Sequence, residues 1–275
     1  MPELSLSSSI TLNNGVQMPV LGLGVFKVPN RLARSVALKA LDIGYRHIDT
    51  ATYYQNEEGV GRAVRDSGLP REEVFVTTKL WNADHGTKEA LAACDRSLKA
   101  LGMDYIDLYL IHWPRGDRRV ETWKAMERLL DEGKVRAIGV SNYLPRHLDE
   151  TIAYSSVVPA VDQVEFSPFL YQKDLLSYAR SRGIVLEAYS PLTRGKKLGD
   201  PRLMEMAQRY ERTPAQLLIR WVLQKGMVVI PKTVDEGRLR ENAGVFDFTI
   251  SPRDEEEMDT WNEDLHTTWN PADIP

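Results

Sequence analysis

The chain has 275 residues, 43% hydrophobic and 27% charged, with a formal net charge of −4 and a single cysteine, Cys94. So small a charge argues against nucleic acid or an anionic membrane surface as partner, and one cysteine excludes an intrachain disulfide framework, which suits a reducing compartment. The opening MPELSLSSSI lacks the basic and apolar regions of a signal peptide, and apolar runs such as MVVI at 227–230 are far too short to span a bilayer, so a soluble cytoplasmic protein is expected.

In chain order, ITLNNGVQMPV (10–20) predicts a β-hairpin with Asn14-Gly15 as the turn pair. Strand-like apolar segments then alternate with amphipathic helical ones. The strands are expected at 20–26, 45–49, 73–80, 105–112, 136–141, 160–166, 184–190 and 226–231. Helical periodicity fills segments between them, such as 33–44, 88–102 and 213–226. Several of these end in glycine, a usual C-terminal stop, and Thr213-Pro214 supplies an N-cap followed by proline in the first turn. No linker or low-complexity tract divides the sequence. Strand then helix, eight times over, predicts an α/β fold: a (β/α)8 TIM barrel forming one domain over 1–275. An open doubly wound sheet competes, but GLGVFK at 22–27 lacks the third glycine of a dinucleotide-binding turn.

Catalytic residues of such barrels sit at the C-terminal ends of strands. Polar groups gather there: Asp49, Lys79, His112, Ser141, Asn142, Gln163, Glu165, Tyr189, Ser190 and Lys232. A buried lysine and aspartate are costly unless paired, so Lys79 is expected to meet Asp49. A lysine so placed is expected to lower the pKa of a nearby tyrosine and make it a usable proton donor. The stretch HIDTATYYQNEEGVG (47–61) offers two tyrosines, Tyr53 and Tyr54, between which propensity does not choose. Each of these residues also has a structural reading: an Asp–Lys pair that merely braces the barrel, a histidine that caps a strand. His47 and Asp49 form an HxD pair, but no third ligand clusters with them, so no metal is expected.

Taken together, MPVLGLGVF, GYRHIDTATYYQNEEGVG, REEVFVTTKLW, DYIDLYLIHWP, VRAIGVSNY, DQVEFSP, AYSPL and VVIPKTVDEGRLRENAGVFDF resemble the aldo-keto reductases over essentially the whole chain. The look is that of the microbial diketogluconate-reductase-like and prostaglandin-F-synthase-like members. The resemblance implies a barrel whose bottom is closed by the N-terminal hairpin. It implies a catalytic tetrad of Asp49, Tyr54, Lys79 and His112, since the family tyrosine lies five residues after the aspartate. It implies NADPH as cofactor, with Tyr189 stacked on the nicotinamide and Ser141, Asn142 and Gln163 on its carboxamide. Ser190 and Leu192 would lie along the pyrophosphate, Lys232, Thr233 and Arg238 at the 2′-phosphate, and Glu241 and Asn242 at the adenine end. Two cations and a hydroxyl suit a dianionic phosphate and favour NADPH over NADH.

The substrate would be a small carbonyl compound, such as a diketo sugar acid or methylglyoxal, reduced to an alcohol in a pocket of Phe26, Tyr54, Trp81, His112 and Trp113. Trp269 of the tail, in HTTWNPADIP, would act as a lid, or else would pack on the barrel flank and anchor the chain end. Two features depart from the family pattern. Asp162 stands where many members carry asparagine, which would put extra negative charge near the nicotinamide. The loop TRGKKLGD (193–200) is short, which suggests an open cofactor cleft. A monomer is expected. A non-enzymatic NADP-binding regulatory subunit and Schiff-base aldol cleavage on Lys79 are the competing readings.

Overall fold

The protein is described by a computed structural model covering residues 4–116 and 118–274. An antiparallel hairpin, β1 (Ser9–Thr11) and β2 (Gln17–Pro19), precedes eight parallel strands. These are β3 (Leu23–Gly24), β4 (His47–Asp49), β5 (Phe75–Leu80), β6 (Ile106–Ile111), β7 (Val135–Ser141), β8 (Val161–Glu165), β9 (Val185–Tyr189) and β10 (Val228–Ile230). Neighbours in sequence are neighbours in the sheet from β3 through β10. A parallel bridge between Leu21 and Val229 closes the ring, reinforced by Gly22 N–H to the Val229 carbonyl (2.9 Å) and Gly24 N–H to the Pro231 carbonyl (3.1 Å). The outer helices are α1 (Asn30–Ile43), α2 (Glu57–Asp66), α3 (Thr87–Leu101), α4 (Arg119–Asp131), α5 (Pro145–Tyr154), α6 (Lys173–Ser181), α7 (Pro201–Arg209), α8 (Pro214–Gln224), α9 (Glu236–Ala243) and α10 (Pro252–Asp259). The expected (β/α)8 barrel is the observed fold. No helix among the described residues is long and apolar enough to cross a membrane.

Local chemistry sets several boundaries. Thr213 Oγ1 accepts from Gln216 N–H (3.2 Å) while Gln216 Oε1 accepts from Thr213 N–H (3.0 Å), a capping box that starts α8 where Thr213-Pro214 predicts it. Helix α1 begins three residues before its apolar periodicity, because Pro29 precedes a run with no helix breaker. The expected strand at 20–26 shrinks to two paired residues. The hairpin turn also differs from the predicted two-residue Asn-Gly turn. Leu12 N–H donates to the Val16 carbonyl (2.9 Å) around a three-residue loop in which only Gly15 takes a positive φ, +86°. A two-residue Asn-Gly turn needs positive φ at both positions.

Residues two apart on a strand share a face, so each strand lines the barrel interior with alternate side chains. At the lower end these are apolar. Phe75, Leu108, Leu110, Ala137, Val161 and Val228 pack with Leu12 and Met18 of the hairpin segment. Burying Leu12 and Met18 in this way stabilises the plug by roughly 1.5–3 kcal/mol each. Asn14 Nδ2 donates to the Arg136 carbonyl (2.9 Å) and Asn13 Nδ2 to the Pro159 carbonyl (3.1 Å), tying the hairpin tip to the starts of β7 and β8. Moving up the same rows, Phe75 gives way to Thr77 and Lys79, Val161 to Gln163 and Glu165, and Val185 to Glu187 and Tyr189. The interior therefore turns polar towards the C-terminal mouth.

Candidate active site

At that mouth the Lys79 ammonium, fully buried, donates to both carboxylate oxygens of Asp49 (2.8 and 2.7 Å) and to the Thr50 carbonyl (2.8 Å). The Tyr54 hydroxyl lies 3.3 Å from the same nitrogen. Tyr54 is delivered by a short 3-10 turn, Thr52–Tyr54, immediately after β4. Asn56 locks that turn from behind: its Nδ2 donates to the carbonyls of Val25 (2.9 Å) and Val28 (2.8 Å), and its Oδ1 accepts from Thr50 Oγ1 (2.6 Å). Tyr53 points elsewhere. It is 49% exposed and stacks on Trp81 with centroids 4.0 Å apart, so only Tyr54 meets Lys79. The buried His112 ring stands edge-on to Tyr54 (5.7 Å) and Trp81 (5.2 Å). Phe26 packs on the other side of Tyr54 at 4.9 Å. The four candidate catalytic residues thus converge on one point inside an aromatic collar.

The electrostatics correct one expectation. Lys79 does not bring the Tyr54 phenol below its ordinary value. Burial holds that pKa well above 10, assisted by the Asp49 carboxylate and by Glu187 once ionised, and opposed by Arg194. His112 is kept neutral, its pKa pushed well below the usual imidazole range by burial and then by Lys79. Burial raises the Asp49 carboxyl, while Lys79 and the Gln163 amide pull it back.

The remaining candidates fall into two groups. Ser141, Asn142, Gln163 and Tyr189 gather at the mouth. Asn142, in the left-handed region at φ +64°, donates from Nδ2 to the His112 carbonyl (3.0 Å) and accepts from the Tyr189 hydroxyl at Oδ1 (2.7 Å). Ser141 Oγ donates to the Gln163 carbonyl (2.7 Å), and Gln163 Nε2 donates to Asp49 Oδ2 (2.8 Å) and Glu187 Oε2 (2.7 Å). Lys232, Thr233, Arg238, Glu241 and Asn242 lie beyond the end of β10 and along α9. Lys232 and Arg238 are exposed, and among the described residues no carboxylate lies within ion-pair distance of either. Glu241 Oε1 is occupied by Thr213 Oγ1 (2.6 Å), which ties it to the start of α8.

Ser190 and Leu192 lead into the short loop, where Ser190, Thr193 and Arg194 all adopt positive φ. That conformation brings Arg194 over Phe26 at 5.7 Å, with Lys27 over the same ring at 5.5 Å. Neither cation is singled out by the sequence analysis. Asp162 also departs from expectation. It lies on the face of β8 opposite Gln163, is fully buried, and accepts only a long bond from Tyr143 N–H (3.4 Å). Burial raises its pKa well above the ordinary carboxylate range, and its face of β8 turns away from the barrel interior.

The tail is docked on the barrel mouth. The buried Glu165 carboxylate receives Thr267 N–H at Oε1 (3.0 Å), Thr268 N–H at Oε2 (3.3 Å) and both threonine hydroxyls. Thr268 Oγ1 also meets the Tyr189 hydroxyl at 3.0 Å. Trp269, 55% exposed, packs against the buried Trp113 (centroids 5.5 Å) with Arg115 over its ring at 5.3 Å. Arg146 then holds the carbonyls of Ala272 (3.1 Å) and Ile274 (2.7 Å). Among the described residues no group of three or more His, Cys, Asp or Glu has an arrangement suited to a metal ion.

Known proteins resemble this chain in sequence and in fold. The Aldo/keto reductase family matches residues 20–263. A glyoxal reductase of Bacillus subtilis is 47% identical over 98% of both chains. A 9,11-endoperoxide prostaglandin H2 reductase of Trypanosoma cruzi is 46% identical over 95% of this chain and 94% of its own. Among solved structures, a Bombyx mori aldo-keto reductase in complex with NADP superposes with a TM-score of 0.92 at 32% identity, covering 99% of each chain. A match that runs from β3 past α10, on a barrel of the same shape, makes this chain a member of the aldo/keto reductase family of oxidoreductases.

Proposed function

We propose that the protein is an NADPH-dependent reductase of small aldehydes and ketones, with Tyr54 as general acid. The observation that carries the reading is the Tyr54 hydroxyl 3.3 Å from a lysine that Asp49 grips with both oxygens, beside a neutral histidine. NADPH fits the residues present. Lys232 and Arg238, two cations without a carboxylate partner among the described residues, flank the Thr233 hydroxyl and suit a 2′-phosphate. The Tyr189 ring suits stacking against a nicotinamide, and Ser141, Asn142 and Gln163 offer polar groups for its carboxamide. Ser190 and Leu192 would border the pyrophosphate, and Glu241 and Asn242 the adenine end.

The cofactor, when bound, supplies the hydride. The chain's own residues handle the proton and the developing charge. The neutral His112 imidazole orients the carbonyl oxygen. The high pKa of the Tyr54 phenol keeps its proton in place until that oxygen becomes alkoxide-like and far more basic than a phenolate. The phenol then releases its proton, and the fixed Lys79 ammonium stabilises the phenolate left behind. Phe26, Trp81, Trp113 and Trp269 supply apolar walls. Small 1,2-dicarbonyls such as glyoxal and methylglyoxal are the first substrates to test, given the name of the B. subtilis relative.

A lysine clamped as an ammonium by Asp49 is a poor Schiff-base nucleophile, which disfavours aldol cleavage. A regulatory subunit without activity would have no use for a proton donor poised on that lysine. Tyr54→Phe is expected to lower turnover roughly 10²- to 10⁴-fold with NADPH affinity little changed. Tyr53→Phe is expected to leave turnover near wild type. Wild-type turnover in the Tyr54 variant would end this reading.

A further inference from the structure

Beneath the tetrad lie two buried titratable side chains that the mechanism above does not use, His47 and Glu187. Glu187 sits on β9 two residues before Tyr189, so it occupies the same interior row one layer down. Its Oε2 accepts one proton of the Gln163 amide at 2.7 Å, and Asp49 Oδ2 accepts from the same nitrogen at 2.8 Å. Its Oε1 abuts His47 Nε2 at 3.7 Å. His47 is itself wedged in place. Its Nε2 is 3.0 Å from Thr77 Oγ1, its ring meets Phe75 edge-on at 5.1 Å, and a Cβ at position 22 would come within 2.5 Å of its Nδ1, so Gly22 leaves it room and little more. The backing behind Glu187 is rigid.

We propose that Glu187 is a positioning residue: with Asp49 it holds the Gln163 amide with its NH2 group turned into the barrel, so that Oε1 is presented at the mouth to a ligand that donates there. The inference rests on the NADPH reading, in which that donor is the nicotinamide carboxamide. The two acids divide the task. Asp49, gripped by Lys79, is an ionised acceptor, and an amide turned the other way would set its oxygen against that carboxylate. Asp49 therefore selects which end of the amide faces inward. One hydrogen bond leaves the amide plane free to swing, and the second, to Glu187, fixes its tilt. Among the described residues no group donates to Gln163 Oε1, and that oxygen is not sealed from solvent, so it remains available. Among the described residues Glu187 has no ammonium within hydrogen-bond reach, unlike Asp49. It serves as a proton-bearing acid, consistent with a pKa pushed up to about 8 by burial and by Asp49.

The test uses NADPH and its 3-acetylpyridine analogue, whose acetyl group lacks the amide donor. Dissociation constants are measured by tryptophan quenching for wild type, Glu187→Leu, Glu187→Ala and Glu187→Gln. Wild type is expected to prefer NADPH by roughly tenfold, the worth of one hydrogen bond whose loss strands a partner. The leucine and alanine variants should lose that preference, binding both molecules about equally. Glutamine, which keeps an acceptor for the Gln163 amide, should restore it. A purely space-filling Glu187 would weaken both ligands together and lower the melting temperature without changing the ratio. An unchanged ratio in either folded non-accepting variant overturns the proposal. Wild type that binds neither molecule overturns the cofactor reading itself, a distinct result.

Discussion

Removing the acceptor that holds the tail should free it without unfolding the barrel. In Glu165→Ala the two backbone amides and two hydroxyls of Thr267 and Thr268 lose their common carboxylate. Hydrogen bonds to a charged acceptor are worth about 1.5–3 kcal/mol each on truncation, and four on one group do not add, so a local loss of about 3 kcal/mol is reasonable. That corresponds to roughly a hundredfold rise in the open population of residues 266–269. The far end keeps its own anchors, since Arg146 still holds the Ala272 and Ile274 carbonyls. Native-state hydrogen exchange should therefore show Thr267 and Thr268 exchanging about two orders of magnitude faster, with Ile274 less affected. Glu165→Gln, which keeps one acceptor oxygen, should fall between. Because Trp269 follows Thr268 directly and packs on Trp113 of the proposed substrate pocket, the substrate KM should rise more than the cofactor Kd. Unchanged tail exchange together with a large drop in melting temperature would refute the argument, since it would make Glu165 a core brace and not a latch.

Two further outcomes follow from the same geometry. Arg238→Ala should weaken NADPH binding by roughly ten- to a hundredfold while leaving NADH binding nearly unchanged, measured by fluorescence titration; equal losses would remove Arg238 from the 2′-phosphate. Burial and Asp49 raise the Glu187 carboxyl to about 8 from the 4.5 of an unfolded chain, so between those values the folded state holds a proton that the unfolded chain has released. Stability should accordingly fall as pH rises through that window, by up to about 1.4 kcal/mol per unit relative to Glu187→Gln, as read from urea melts. Parallel curves for the two proteins would mean that Glu187 is already ionised when folded.

Much of the site could be read from strand ends. Asp49, Lys79, His112, Gln163 and Tyr189 each lie at or near the C-terminal end of a strand, and a period of two puts them on the inner face. Glu187 was legible by the same rule, two residues before Tyr189, yet the run IVLEAYS draws attention to its end and not its middle. The choice between Tyr53 and Tyr54 needed the family spacing, because a 3-10 turn obeys neither helical nor strand periodicity. The direction of the Tyr54 shift was not legible. It depends on how deeply the phenol is buried beside the Asp49 carboxylate, which only the packed barrel decides. Nor could any local pattern have joined Glu165 to Thr267, since their contact is set by tertiary docking of a segment with no periodicity of its own.

The seam of the barrel carries a consequence for how the protein folds. Its first strand is two residues long and is fastened to the last by a handful of backbone hydrogen bonds between opposite ends of the chain. Loop-closure entropy makes such a joint the last to form and the first to open. Lys27 stands just past one side of it and Lys232 just past the other. Any anion long enough to touch both would act as a clasp across the ring, so its mass-action stabilisation should appear chiefly as slower unfolding, with little gain in folding rate.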